Sequence, residues 1–449
     1  MPRLITRGII VAVVVVVGVL LAALIAMLLG VGDDNAIARR FMLKPADIIV
    51  EQRPDPAYEE LFSYYVELCA TSQWNSKLKG TGGVTGHAVM YIKGACKDEE
   101  APYPQLRRCR YPATRLDDPK HGAGVTVNRW LRNVNWVAVP GYKLFYEGNL
   151  EPGQRLTQDH FEATVRDAIK VGVFDGVELH EYPTDAPKRS LEDFVARRSI
   201  VTDFALRFGR TVSCARIPVT EPMLDEVVAF LNDKNLEYAT GEADYNWDLL
   251  ADNCVHTVRN ALAAADVWSP LSVRAVKLRR FFNLAVPANE FVNLALLGAE
   301  GEVEDYRAVY EQGELRDALL GFGWLPTRHG ALLKTLPVHA PNDIFDTTFR
   351  LFTLQSPLRI GKTNDAVRLL SDERFVDLEA NLKYFREKYD AILAEQDNQV
   401  DGLASVRGDP YRHFGRLHRA YVQEQLDEVK LMIERLKTLE PSSEESQID

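Results

Sequence analysis

The residue with the clearest capacity for chemistry is Cys254, which opens the segment DNCVHTVRNAL behind an aromatic lead-in that carries Tyr238 and Tyr245. Asp252 and Asn253 are helix-cap residues, and the apolar positions after them recur at helical spacing. A cysteine at a helix start meets free backbone N–H groups and the positive end of the helix dipole, and both favour thiolate over thiol. A thiolate nucleophile needs an imidazole to take and return a proton, a third polar group to orient that imidazole, and donors for the oxyanion. His256 does not supply the imidazole, because residues two apart on a helix point about 200° away from each other. His87 is the candidate base: it opens the strand HAVMYI directly after the glycine-rich turn GTGGVTG. Asn128, at the end of GVTVN, is the candidate orienter, with His121 and Asp98 behind it. Asp252 and Asn253 read as helix caps, with oxyanion donation expected from the backbone N–H of Cys254. The blander reading is a structural histidine and a buried, inert thiol.

The elements that must hold these residues read as an α+β body. AYEELFSYYVELCATS reads as helical and is followed by the His87 strand. Two further β-rich pieces lie in 122–140, a helix capped by Thr157 runs through Ile169, and 200–208 turns back to period two through Phe204, Leu206 and Phe208. A strand TVSCARIPV, a helix started by Thr220 and then the Cys254 helix complete the order. The stretch NEFVNLALLGAE reads as a buried helix, and the region holding His329, His339, Asn342 and Asp343 as a surface connection, the alternative being a loop that reaches back over the active site. Phe375 to Ile392 and Val422 to Leu436 repeat at steps of three and four around a break with Gly402, Gly408 and Pro410, which predicts an antiparallel helical hairpin.

The run from Ile9 to Leu29 is uncharged and long enough for a bilayer core, and it follows Arg3 and Arg7. It predicts a single-pass transmembrane anchor with the N-terminus inside and the body outside the cytoplasmic membrane. The expected divisions are an anchor over 1–30, a connector over 31–54, the catalytic body over 55–268, a mixed extension over 269–360, the hairpin over 361–440 and a disordered tail over 441–449. A net charge of −11 without clustered basic residues argues against a nucleic-acid partner. Five cysteines suit an oxidising compartment, and the odd count leaves at least one thiol free or paired with another chain. Cys96 and Cys109 bracket a Pro-rich loop and are the expected disulfide, the alternative being two unpaired thiols. No metal or nucleotide motif appears, so no cofactor is expected.

GHAVMYI with His87, followed much later by DNCVHTVRNAL with Cys254, resembles the circularly permuted branch of the NlpC-type papain-like superfamily. Asn253-Cys254-Val255-His256 is similar to the Asn-Cys-x-His segment of the lecithin:retinol acyltransferase group. Closer still is the periplasmic N-terminal domain of the lyso-form lipoprotein acyltransferase, in which an Asp-Asn-Cys helix ends as Arg259-Asn260-Ala261-Leu262 does here. The resemblance covers about residues 61–265. It implies acyl transfer through a thioester on Cys254 with His87 as base and then acid, on lipid or lipoprotein acyl groups of a bacterial envelope. The alternatives are a peptidoglycan peptidase and a non-catalytic envelope scaffold.

Overall fold

A computed structural model describes residues 42–43, 56–71, 86–110, 121–151, 153–180, 190–248, 252–265, 329–345, 351–352, 368–407 and 409–439. The apolar run at 9–29 and the apolar stretch at 289–300 lie outside these residues. Among the described residues no helix is long and apolar enough to cross a membrane.

The protein is α+β, built on a six-stranded antiparallel sheet. A short pair, β1 (Met42–Leu43) with β10 (Leu351–Phe352), stands apart from it. The main strands are β2 (Tyr65–Thr71), β3 (His87–Lys93), β6 (Gly122–Thr126), β7 (Val137–Pro140), β8 (Val212–Pro218) and β9 (Leu332–Leu336). Their spatial order is β7-β6-β3-β2-β8-β9. Two small strands, β4 (Ala95–Lys97) and β5 (Leu106–Arg108), form a separate hairpin.

Central β2 corrects the sequence reading. Only α1 (Pro56–Leu61) is helical, and the chain then turns at Ser63 into seven buried strand residues. A strand buried on both faces loses the polar–apolar alternation that marks a strand in sequence, so YVELCAT passes for a helix. A second correction concerns 329–343, where LLKTL is the edge strand β9 rather than part of a surface connection, and it pairs with β8 over Val212–Arg216. A third lies at Phe204, Leu206 and Phe208. Their alternation belongs to a tight series of buried turns rather than a strand, because the Ser199 carbonyl takes the N–H groups of Thr202, Asp203 and Phe204.

Helices pack around the sheet. They are α2 (Gln158–Lys170), α3 (Leu191–Ser199), α4 (Glu221–Ala239) and α5 (Cys254–Ala264). Thr157 caps α2 through His160 N–H, and Thr220 caps α4 through Met223 N–H, as side-chain oxygens do at helix starts. After a short α6 (Glu373–Val376), α7 (Leu378–Arg407) and α8 (Asp409–Leu439) pack on each other, and His329 touches Tyr389 of the first and Glu428 of the second.

Two disulfides fasten the body. Cys96–Cys109 is present and joins β4 to the residue just after β5. Cys69–Cys214 links directly opposed residues of β2 and β8, 145 positions apart. Beside it, Glu67 is fully buried and compensated by Arg216 at 2.7 Å, Lys334 at 2.8 Å and the Tyr146 hydroxyl at 3.0 Å. A buried carboxylate is tolerable only with partners of this kind.

Candidate active site

Three elements converge on the sulfur of Cys254. The first is α5, whose first residue it is. Asn253 is the N-cap, with extended backbone, and its side-chain oxygen accepts from Val255 N–H at 2.9 Å and His256 N–H at 3.3 Å. The Cys254 N–H is left without an acceptor among the described residues, which makes it an unspent helix-end donor. The second element is β3, on which α5 packs. Gly86, at φ 82°, turns the chain into the strand, and His87 follows at its start. The third is the turn series after α3, which delivers Asp203.

His87 and Cys254 share a hydrogen bond. Burial on its own pushes the Cys254 thiol up; the positive charge of His87, its hydrogen bond and the N–H groups of Ala88 and Val255 outweigh it and hold the thiol below its ordinary value. Burial likewise lowers His87, but the Cys254 charge and the Asp203 carboxylate raise it to about 10. The two shifts run in the same sense, each favouring the charged form of its group, thiolate beside imidazolium.

His87 Nε2 lies 3.2 Å from Asp203 Oδ1 and 3.2 Å from Thr126 Oγ1. With Nε2 so engaged, Nδ1 is the ring nitrogen that remains for the sulfur. Asp203 is 2% exposed, and its Oδ1 accepts from Thr126 Oγ1 at 2.6 Å. Asn128 Nδ2 donates to Asp203 Oδ2 and, at 2.7 Å, to Ser199 Oγ. The orienter of the imidazole is thus Asp203, and this corrects the assignment of Asn128, which acts one step further out by holding the carboxylate. The shift has a simple cause: Thr126 is the strand residue level with the ring, and Asn128 lies beyond the strand's end. His121 is elsewhere, bonded at 3.1 Å to Glu59. Asp98 sits in the β4–β5 hairpin, where its carboxylate accepts from Glu100 N–H.

Asp203 escaped the sequence reading because it stands among apolar residues in an apparent strand. Its surroundings are unusual in backbone terms: Val201 has φ 66° and Ala205 φ 48°, left-handed values that non-glycine residues rarely hold. Such conformations persist where the surroundings over-determine them, and here they bracket the carboxylate. Two left-handed residues cannot be read from VTDFA.

Asp252 is a positioning residue of the lead-in. Its carboxylate accepts from Asn135 Nδ2 at 3.1 Å and Tyr238 hydroxyl at 2.9 Å, and its backbone pairs with Asp248 on both sides. That pairing ties Asp248, three residues after Tyr245, to the residue two before α5. The Tyr245 side chain is buried against Tyr238. Its hydroxyl has no hydrogen-bond partner among the described residues. Burial first, and then the charges of Asp252 and Cys254, push its pKa up, so it remains a neutral O–H donor. Together with Cys254 N–H, it gives the site two unengaged donors for a developing oxyanion.

Glu67, Cys69 and Cys214 lie close enough to share an ion, but the two sulfurs are bonded to each other and offer no thiolate. All five cysteines are described, and Cys254 is the free one. The chain matches no family model, no curated protein and no solved structure.

Proposed function

We propose that this chain is a cysteine-dependent acyl-transfer enzyme of the bacterial envelope, acting on lipid or lipoprotein acyl groups. The observation that carries the chemistry is the hydrogen-bonded series Cys254, His87 and Asp203, centred on the only free thiol. An inert core cysteine does not need an imidazole held by a buried carboxylate, and the scaffold reading is weaker for that reason. The order of histidine strand before cysteine helix supports a permuted papain-like body, and the apolar N-terminal run supports placement of that body at the membrane's outer face.

In this reading the Cys254 thiolate attacks the carbonyl carbon of an ester or amide. The carbonyl π electrons move to oxygen, where Cys254 N–H and the Tyr245 hydroxyl receive the charge. Collapse breaks the bond to the leaving group, which takes the His87 proton and departs as alcohol or amine, leaving a thioester and neutral imidazole. His87 then removes a proton from the acceptor, water or an amine, as it attacks the thioester. The sulfur leaves as thiolate, and imidazolium is restored.

The test is labelling with a thiol-reactive acyl probe in the native chain, Cys254→Ala and His87→Ala, followed by intact mass. The native chain is expected to gain one acyl mass on Cys254, Cys254→Ala none, and His87→Ala far less. Equal labelling of all three defeats the proposal. Release of cell-wall peptides in place of acyl exchange assigns the same chemistry to a peptidase.

A further inference from the structure

Behind Asp203 two arginines stand on aromatic rings. Arg129 lies 5.0 Å from the Trp130 ring, Arg198 lies 5.1 Å from the Phe194 ring, and the two rings meet edge to face at 5.6 Å. Both arginines are exposed, whereas Phe194 is buried and Trp130 half-buried. Arg129 follows Asn128, whose amide donates to the Asp203 carboxylate, and Arg198 precedes Ser199, whose hydroxyl accepts from the same amide and whose carbonyl accepts from Asp203 N–H. The turn is fixed as well, because Trp130 N–H donates to Asn128 Oδ1 at 2.8 Å.

Neither arginine has a carboxylate partner among the described residues. The contrast with Arg197 is direct, since that neighbour binds both Glu162 and Asp193 through its guanidinium. Arginine stacked on an aromatic face keeps its planar fork of donors free and has lost less freedom still to lose on binding an oxyanion. In a chain of net charge −11, two such forks beside a reaction centre are a local exception in sign.

We propose that Arg129 and Arg198 bind a phosphate-type oxyanion on the substrate, and so place an anionic headgroup beside the Asp203 edge of the site. Calling the bound molecule a substrate rests on Cys254 being the nucleophile; the binding itself does not. The forked geometry suits phosphate oxygens, which accept paired N–H donors. The substrate class is thereby narrowed to acyl compounds that carry a phosphate on the Asp203 side of the site.

The experiment uses the full chain in a non-ionic detergent as Cys254→Ala, so that turnover plays no part and a failed nucleophile assignment leaves the result untouched. Isothermal titration is run with inorganic phosphate, with the soluble lipid dihexanoylphosphatidylglycerol and with dihexanoylphosphatidylcholine. Saturable binding of phosphatidylglycerol is expected, weakened roughly tenfold or more by Arg129→Gln with Arg198→Gln, as loss of charge-assisted hydrogen bonds implies. The Arg129→Lys, Arg198→Lys pair is expected to fall between, because it keeps charge and loses the fork. Tighter binding of phosphatidylglycerol than of phosphate supports a lipid headgroup as source; phosphate alone binding as tightly supports a free or non-lipid phosphate. Equal affinity in Cys254→Ala with and without the two glutamine substitutions, with both folded by thermal melting, overturns the proposal, as does the absence of binding by either anion.

Discussion

Asp203→Asn removes the charge behind His87 while preserving shape. For full charges 3.2 Å apart, an effective dielectric of about 20 gives roughly 5 kcal/mol. That is an upper bound, because Thr126 and Asn128 share the carboxylate, and hydrogen bonds to charged groups are worth about 1.5–3 kcal/mol. The smaller range corresponds to roughly one to two pKa units. Imidazolium is thus destabilised by that amount, and Cys254, whose thiol is held down chiefly by the His87 charge, loses part of that support. The onset of thiolate moves to higher pH, by at most about one to two units. The assay is alkylation by iodoacetamide from pH 4 to 10, read by intact mass. It is clean because the other four cysteines are bridged. An onset within a few tenths of a unit of the native chain, in a variant with native melting, would refute the reasoning, because Asp203 would then do nothing for the ion pair.

Asn253→Ala is expected to cost about 1 kcal/mol by removing the acceptor for two helix-end N–H groups, read as a lower urea midpoint. Glu67→Gln leaves Lys334 buried without its counter-charge and Arg216 with Glu59 alone, at 4.0 Å, and is expected to cost about 3–5 kcal/mol in the same assay. Glu59 is pushed up by burial but held down to about 2 by His121, Arg216 and Lys93, so its contribution is complete above its unfolded pKa of 4.5 and is lost as pH falls from 4.5 towards 2. The loss is on the order of 3 kcal/mol, and urea midpoints at pH 7 and pH 3 should diverge more for the native chain than for Glu59→Gln.

What the sequence made legible follows local rules. Cys254, His87 and the caps Thr157, Thr220 and Asn253 each carry their signal within a few residues, as a helix start or a glycine-led strand. The α+β class and the Cys96–Cys109 closure were readable on similar grounds. What stayed hidden depends on contacts far apart in the chain. Strand β2 lost its alternation by being central, β9 became a strand through its pairing with β8, and Asp203 reaches His87 through a turn made by two left-handed residues. Tyr245 gave an aromatic signal, but its buried hydroxyl, without a partner among the described residues, emerges only from the fold.

The strand order also sets a sequence of events during synthesis. Strands β2, β3, β6 and β7 form a meander of neighbouring pairs, whereas the other edge of β2 waits for β8 and then for β9. A chain emerging from its N-terminus therefore carries an open, apolar strand edge until Val212–Pro218 arrives, a stage at which it can be captured by other chains. His87 and Thr126 belong to the early half, and Asp203 and Cys254 to the late one. Cys254 is a chemically ordinary thiol while the chain is being made, and its pKa is drawn down only when the two halves have closed around it.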